Sequence, residues 1–174
     1  MDRRRASAAL VALVAGGGMR AAVGAGQPLV PVAAATLPQP GPRDLCPVCG
    51  MLVAKYPAWV AIARYRDGHA HFFDGAKDLF KYLFNVSRYA PGHRREDVAD
   101  LWVTEYYGLT RVDARRALYV IGSDVLGPMG HEFVPLASES EADDFLRDHK
   151  GRRVLRYEEI TAQRAERLDE GRFD

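Results

Sequence analysis

The sequence predicts an α+β fold made of two duplicated modules, each with the order strand, strand, helix, strand. Short runs of β-branched and aromatic residues end at glycine-containing turns, which is typical of paired strands. Apolar residues then recur at helical spacing behind a capping residue, and this succession occurs twice along the chain. Each module has only roughly fifty residues and would bury too little apolar surface alone, so we expect the interface between modules to belong to the core.

Composition indicates a soluble globular protein, with 48% hydrophobic and 27% charged residues. The 24 Lys and Arg residues nearly balance the 23 Asp and Glu residues, which argues against a nucleic-acid surface. The sequence contains no glycine-rich phosphate loop, nucleophile elbow or Ser/His/Asp pattern. We therefore expect a binding protein and not an enzyme, with no nucleic-acid partner and no small-molecule substrate.

Residues 1–44 differ in kind from the rest of the chain. Three arginines at positions 3 to 5 precede an uncharged apolar run and a stretch of small residues, which predicts a secretory signal peptide at 1–25. Residues 26–44 contain five prolines and are typical of a linker. We expect an exported, periplasmic protein. In that oxidising compartment two cysteines can also form a disulfide.

The first module is predicted at residues 45–112. Runs of β-branched and aromatic residues lie before and after a turn that contains Asp67-Gly68, and a helical apolar pattern follows directly. In order, the predicted elements are a strand at 58–65, a turn at 66–69, a strand at 70–73, a helix capped by Asp74, a loop at 86–97 and a strand at 101–107.

The second module, at residues 113–174, repeats this order. Ser138 and Glu141 form a capping box at the start of its helix, and Gly151 ends that helix. In order, the predicted elements are a strand at 116–121, a long turn at 122–130, a strand at 131–135, the capped helix, a closing strand at 153–157 and a polar terminal helix at 158–170.

The only two cysteines form a Cys-x-x-Cys motif at Cys46 and Cys49. Haem attachment requires His directly after the second cysteine, where this chain has Gly50, and a closed zinc site requires a second pair of ligands at regular spacing. Thiol–disulfide exchange requires a helix behind the motif, which the residues after it do not predict. We therefore favour copper binding by this motif. The two alternatives are a periplasmic thiol–disulfide oxidoreductase that uses Cys46 and Cys49, and a purely structural disulfide.

Two further segments supply soft donors. Met51 follows Cys49 by two residues, and Met129 precedes His131 by two, so in extended backbone each pair points to one side. Thiolates and thioethers prefer Cu(I), which accepts two or three ligands. The candidate metal ligands are therefore Cys49, Met129, Cys46, His131 and Met51. His69 and His71 share a strand face that could bind metal, although histidines beside a hairpin turn are commonly solvated.

An ordered series of motifs carries a family resemblance. The motifs are Cys46 to Met51, Val103 to Tyr107, Asp113 to Ala117, Tyr119 to Glu132, and Phe145-Leu146. Over residues 44 to 160 the chain resembles the NosL family of copper chaperones. The resemblance implies a duplicated α+β fold similar to the organomercurial lyase core, and Cu(I) ligands among a cysteine of the 46–49 motif, Met129 and His131.

The resemblance also implies a partner and a pathway. Members of the family pass Cu(I) to the Nos membrane transporter assembly and through it to the copper-sulfur centre of nitrous-oxide reductase, in denitrification. Many are lipoproteins whose lipid is attached to a cysteine directly after the signal peptide. Here no cysteine precedes Cys46, so we expect a periplasmic protein without a lipid anchor.

Overall fold

The computed structural model describes residues 37–174, which form seven β-strands and four α-helices. The predicted signal peptide and the linker residues before 37 lie outside this range. Within it, Leu37 of the linker is buried in the core. None of the helices in residues 37–174 is long and apolar enough to cross a lipid bilayer.

The first sheet has four antiparallel strands in the order β2-β1-β3-β4. These are β1 (Ala61–Tyr65), β2 (Ala70–Phe73), β3 (Val98–Thr104) and β4 (Arg111–Asp113). β1 and β2 form the predicted hairpin, in which Gly68 supplies the positive φ of the turn. β1 lies inside the sheet and its side chains are almost all buried, whereas β2 lies at the edge.

The second sheet has three antiparallel strands in the order β6-β5-β7. They are β5 (Leu118–Ile121), β6 (Val134–Leu136) and β7 (Arg153–Arg156). In both sheets the first strand of the unit lies between the second and the third, so the units share one topology. The predicted α+β class with two strand-strand-helix-strand units is confirmed. The likeness to the organomercurial lyase core stays a prediction.

The helices join the two units. They are α1 (Ala76–Phe84), α2 (Val86–Tyr89), α3 (Glu139–Asp148) and α4 (Ala162–Asp169), with short 3-10 helices at Val53–Lys55, Arg95–Asp97 and Tyr157–Glu159. α1 packs on β1 and β2 and also against α4, which comes from the other unit. α3 covers the second sheet. The C-terminal helix therefore closes one side of the first unit.

A single core runs through both units. Phe80 of α1 contacts Tyr119 and Phe133 of the second unit, with ring centroids 5.2 and 5.5 Å apart. Along β5 the side chains alternate: Tyr119 and Ile121 face this core, whereas Leu118 and Val120 pack in a smaller cluster with α3. The interface between the units is thus part of the core. This is expected because a unit of this size cannot bury enough apolar surface by itself.

Several predicted boundaries differ from the structure. Asp74 does not cap α1; Gly75 is the N-cap and no side chain of its own fills that role. The predicted strand at 101–107 ends at Thr104, because the buried Glu105 carboxylate accepts backbone N–H bonds from Tyr107, Gly108 and Thr110 and folds the chain into a turn. The predicted loop at 86–97 contains α2.

The second unit shows two similar differences. The predicted strand at 131–135 begins only at Val134, because Glu132 turns its side chain inward, where it accepts the N–H of Phe133 at 2.9 Å. The terminal helix is shorter than the predicted 158–170. It begins behind Thr161, whose hydroxyl accepts the N–H of Arg164 at 3.2 Å, and a 3-10 helix occupies the preceding residues.

Candidate metal centre

The two cysteines lie in a tight loop that precedes the first sheet. An antiparallel bridge between Leu45 and Leu52 closes the loop, and the N–H of Cys46 donates to the carbonyl of Met51 at 2.9 Å. Gly50 has a φ of 78°, which lets the chain turn back on itself. The motif is therefore a backbone knuckle and not the first turn of a helix. Both thiols are free.

Two aspartates of the first unit face the two thiols. The Cys46 thiol donates to Asp78 Oδ2 at 3.3 Å, and the Cys49 thiol donates to Asp74 Oδ1 at 3.2 Å. The four ligand atoms of these residues all lie within 4.8 Å of one another. Asp78 lies in the first turn of α1 and Asp74 lies just before the N-cap Gly75, so both carboxylates come from the start of this helix. These four residues can hold a metal ion.

Burial and charge keep both thiols protonated. Burial, followed by the nearby Asp78 carboxylate, raises the pKa of Cys46, although the N–H groups of Cys49 and Val48 lower it. Burial also raises the pKa of Cys49, to about 12. The N–H of Met51 lowers this pKa, whereas Asp78 and Asp74 raise it further. At neutral pH the aspartates accept the thiol protons in hydrogen bonds. A metal ion that takes thiolates must displace these protons.

A surface cleft of about 500 Å³ brings the Cys-x-x-Cys motif and the second predicted segment together. Cys49 and Met129 both line it, and Met129 is 47% exposed. Cys46 lies behind Cys49 and is 2% exposed. The remaining lining residues are Val48, Asp78, Lys81, Phe84, Asn85, Arg88, Tyr89, Ala162, Glu166 and Asp169. The thiol pair therefore opens onto a space whose edge carries a thioether.

Met129 is held at the cleft by its own turn and by α1. Gly127 and Gly130 exchange backbone hydrogen bonds of 2.8 and 3.1 Å, which leaves Met129 at the tip of a tight turn. The Met129 carbonyl accepts a 2.9 Å hydrogen bond from the ammonium of Lys77, a residue that is only 1% exposed. Lys77 is also 2.9 Å from Asp169 Oδ1. These contacts fix the turn of the second unit against the helix of the first.

Glu132 adds a second tie between the units at the same place. Its buried carboxylate accepts the backbone N–H of Lys77 in the first turn of α1, and so supplies the cap that α1 lacks locally. A Cβ at Gly75 would lie 2.2 Å from Glu132 Oε2, so only glycine leaves room for this approach. Burial raises the pKa of Glu132 to about 8, although the Lys77 charge lowers it.

The other two predicted ligands lie elsewhere in the structure. The half-buried side chain of Met51 does not line the cleft, and its backbone closes the cysteine loop. The His131 ring packs edge-on against Phe173, with centroids 4.9 Å apart, and also lies outside the cleft. The structure thus places Cys49 and Met129 at one cleft, with the Cys46 thiol within 4.8 Å of the Cys49 thiol, whereas Met51 and His131 do not line the cleft.

The sequence did not indicate Asp74 and Asp78 as members of the metal centre, and Asp74 was predicted to be a helix cap. The available signal for Asp78 was its position in a helix with little solvent-exposed surface. Nearly every residue of α1 up to Leu83 is buried, and a carboxylate in such a helix must have a specific partner.

Comparisons with known proteins agree with this fold and show the family. The NosL family model matches residues 39–165. The copper-binding lipoprotein NosL of Stutzerimonas stutzeri is 32% identical over 119 residues, which are 67% of this chain and 62% of that protein. The match therefore spans less than two thirds of that relative's length. The crystal structure of the copper chaperone NosL from Shewanella denitrificans has the same fold, with a TM-score of 0.60 at 21% identity over 74% of this chain and 97% of that one. The chain belongs to the NosL family.

Proposed function

We propose that this protein is a periplasmic Cu(I) metallochaperone that delivers copper for assembly of the copper-sulfur centre of nitrous-oxide reductase. One observation carries the proposal: two free thiols meet beneath a surface cleft whose edge holds Met129. The relatives' names, a copper-binding lipoprotein and a copper chaperone, support it. The receiving partner we propose is the Nos membrane transporter assembly.

The ligands that we assign to Cu(I) are Cys49, Cys46 and Met129. Cu(I) is a soft ion that prefers thiolate and thioether donors, and it is stable with two or three of them. Cys49 faces the cleft and meets an incoming ion first, and the buried Cys46 then completes the thiolate pair. The two aspartates accept hydrogen bonds from the thiols. Their carboxylates are hard ligands, so they do not supply the soft donors that select Cu(I).

Release of the ion follows from the same geometry. Because Met129 is 47% exposed at the cleft edge, a donor from the receiving protein can approach the ion from the Met129 side. A low coordination number leaves a position for that donor before the cysteines let go. Transfer then proceeds by stepwise ligand exchange, without opening the core of the protein.

The alternative function, thiol–disulfide exchange by Cys46 and Cys49, has less support. A reactive cysteine needs a lowered pKa so that a thiolate forms near neutral pH. Here the pKa of both thiols is raised, to about 12 for Cys49, and both donate to carboxylates. In addition, the Cys-x-x-Cys motif is a knuckle and not the first turn of a helix, so no helix N-terminus lowers the pKa of its thiols.

The test is a Cu(I) titration of the reduced protein in competition with a chromophoric Cu(I) chelator. We expect one tightly held equivalent, and a loss of affinity in Cys49→Ser, Cys46→Ser and Met129→Leu. Met51→Leu is the matched control, since it makes the same substitution outside the cleft. Failure of the wild-type protein to compete, or equal affinities for Met129→Leu and Met51→Leu, would contradict the assignment.

The place of the protein in copper delivery needs a test in cells. We expect the Cys49→Ser variant to be present in the periplasmic fraction at wild-type level, while nitrous-oxide reductase from the same cells lacks its copper-sulfur centre. A reductase with full copper content in those cells would contradict the delivery role, whatever the affinity for Cu(I).

A further inference from the structure

Three histidines converge at the open end of the first sheet, away from the cysteine loop. His71 lies in the edge strand β2, His69 directly precedes that strand in the hairpin turn, and His93 comes from the loop after α2. Their ring centroids are 4.8 Å apart for His69 and His71, 5.4 Å for His69 and His93, and 6.0 Å for His71 and His93. Each imidazole is therefore a neighbour of both others.

These separations suit a shared metal ion. Three imidazole nitrogens bound at about 2.0–2.1 Å in tetrahedral geometry place the ring centroids roughly 5 Å apart. The histidine nitrogens are not all within 4.8 Å of one another, as the cysteine and aspartate donors are. The nitrogens are farther apart than those donors because of how the rings are oriented, since the ring centroids already have the required spacing. Rotation about the soft Cβ–Cγ bond reorients an imidazole without backbone movement.

One nitrogen of the cluster has an unexplained environment. His71 Nε2 is buried and has no hydrogen-bond partner among the residues that the structure describes. A buried polar atom without a partner destabilises a protein, so such atoms usually serve a ligand or a water. Burial, with the charges of His69 and His93, lowers the pKa of His71 to about 4. The Nε2 atom of His71 is therefore buried beside two other imidazoles, with no protein group of residues 37–174 to bind it.

The surroundings provide support for metal ligation. The Asp67 carboxylate in the hairpin turn accepts the backbone N–H of His69 at 2.9 Å, and its other oxygen lies 4.0 Å from His93 Nε2. A carboxylate in this position orients a ligating imidazole or completes the coordination. Beneath the histidines, the buried Tyr65 ring lies 4.3 Å from that of His93 and shares a hydroxyl hydrogen bond with Tyr82. The cluster therefore has a rigid aromatic floor.

We propose that His69, His71 and His93 form a second metal site, which binds a divalent ion of the imidazole-preferring class such as Zn(II) or Cu(II). It is separate from the thiol site, because His71 and Asp74 are three residues apart along extended chain, or about 10 Å. Phe73, which lies between them in the sequence, is fully buried in the core. The proposal does not depend on copper delivery by the cysteine cleft, since soft thiol donors and imidazoles select different ions.

The test is calorimetric titration with Zn(II), and separately with Cu(II), of the Cys46→Ser/Cys49→Ser protein, in which the thiols cannot contribute. We expect one equivalent of saturable binding. His69→Asn and His93→Asn should each weaken it by about tenfold or more. His149→Asn, a histidine beside Phe145 at the end of α3, is the matched control and should bind as the parent does. For Cu(II), electron paramagnetic resonance should show coupling to imidazole nitrogens.

A second measurement keeps the cysteines intact in case their replacement disturbs the fold. The Zn(II) stoichiometry of the wild-type protein is compared with that of the His69→Asn/His93→Asn protein. We expect the histidine variant to bind one equivalent fewer. Equal stoichiometries, or no difference between the His69→Asn, His93→Asn and His149→Asn proteins in the first experiment, would overturn the site.

Discussion

The ammonium of Lys77 donates to the carbonyl oxygen of Met129 at 2.9 Å, across 52 residues of sequence. Lys77 directly precedes Asp78, whose carboxylate faces the cysteines. The first turn of α1 therefore positions both sides of the cleft: Asp78 faces the thiol pair, and Lys77 binds the turn that carries the thioether. We expect this contact to govern how well Met129 serves as a ligand.

Replacing Lys77 by methionine tests that relationship. Lys77→Met keeps the volume of the buried stem but removes the hydrogen bond to the Met129 carbonyl, so the turn is no longer fixed. We expect Cu(I) affinity to fall about five- to tenfold, the factor that loss of roughly 1–1.5 kcal/mol produces. The measurement is chelator competition, with circular dichroism to check the fold.

The double variant supplies the control for this prediction. If Lys77 acts through Met129, Lys77→Met should weaken binding much less in a Met129→Leu background, because the ligand that it positions is already absent. Additive losses would show that Lys77 acts on the site by another route, such as its contact with Asp169.

The Asp78 carboxylate should oppose Cu(I) and assist harder ions. Its charge raises the pKa of both thiols, so Asp78→Asn should make the thiols easier to deprotonate and increase Cu(I) affinity about three- to tenfold. Zn(II), which accepts carboxylate ligands, should bind less tightly to the same variant. Competition titrations with each ion measure both effects.

Asp143→Asn, which makes the same change on the exposed face of α3, is the matched control and should leave both affinities unchanged. A decrease of Cu(I) affinity in Asp78→Asn alone would show that this carboxylate is itself a copper ligand.

Cu(I) binding should release protons. The pKa of each thiol lies far above neutrality in the metal-free protein, at about 12 for Cys49. Both thiols are therefore protonated between pH 6 and 8, and binding as two thiolates releases two protons. The affinity should rise as the pH rises, by about a hundredfold per pH unit. Competition experiments at pH 6, 7 and 8 measure the slope.

The Cys46→Ser variant provides the comparison for that slope. With one thiolate remaining, we expect its affinity to rise about tenfold per pH unit. A tenfold slope in the wild-type protein would instead place one of the two cysteines outside the copper site.

Gly75→Ala should destabilise the protein. The new Cβ would lie 2.2 Å from Glu132 Oε2, and displacing that carboxylate breaks its hydrogen bonds to the N–H groups of Lys77 and Phe133. We expect the free energy of unfolding to fall by about 2–4 kcal/mol. Urea denaturation measures it. Gly41→Ala is the control, because its Cβ meets only ordinary contacts; an equal effect of both changes would contradict the steric explanation.

The architecture was accessible from the sequence where periodicity was strong. β1, β2 and α1 carry alternating or helical apolar patterns that packing alone explains, and the repeat of this order revealed the two units. β4 was missed because it has three residues and only Val112 is buried. Its pairing with β3 depends on a partner that no local pattern indicates.

The candidate site was accessible only in part. The Cys46 and Cys49 pair stands out by residue type, and Met129 by its place between glycines. The roles of Lys77 and Glu132 could not be found, because each depends on a contact across more than fifty residues. His131 and Met51 share the residue types of ligands, but orientation is set by tertiary packing, as the contact of His131 with Phe173 shows.

The contact between Lys81 and Asp169 closes the cleft across 88 residues of sequence. Contacts that span so much chain form late in folding, because loop closure must be overcome before they stabilise anything. A chain that has folded only its first unit presents the two thiols without the thioether opposite them. On the ligand set proposed above, we therefore expect three-donor binding of Cu(I) only in molecules whose second unit, which carries Met129, has folded onto the first.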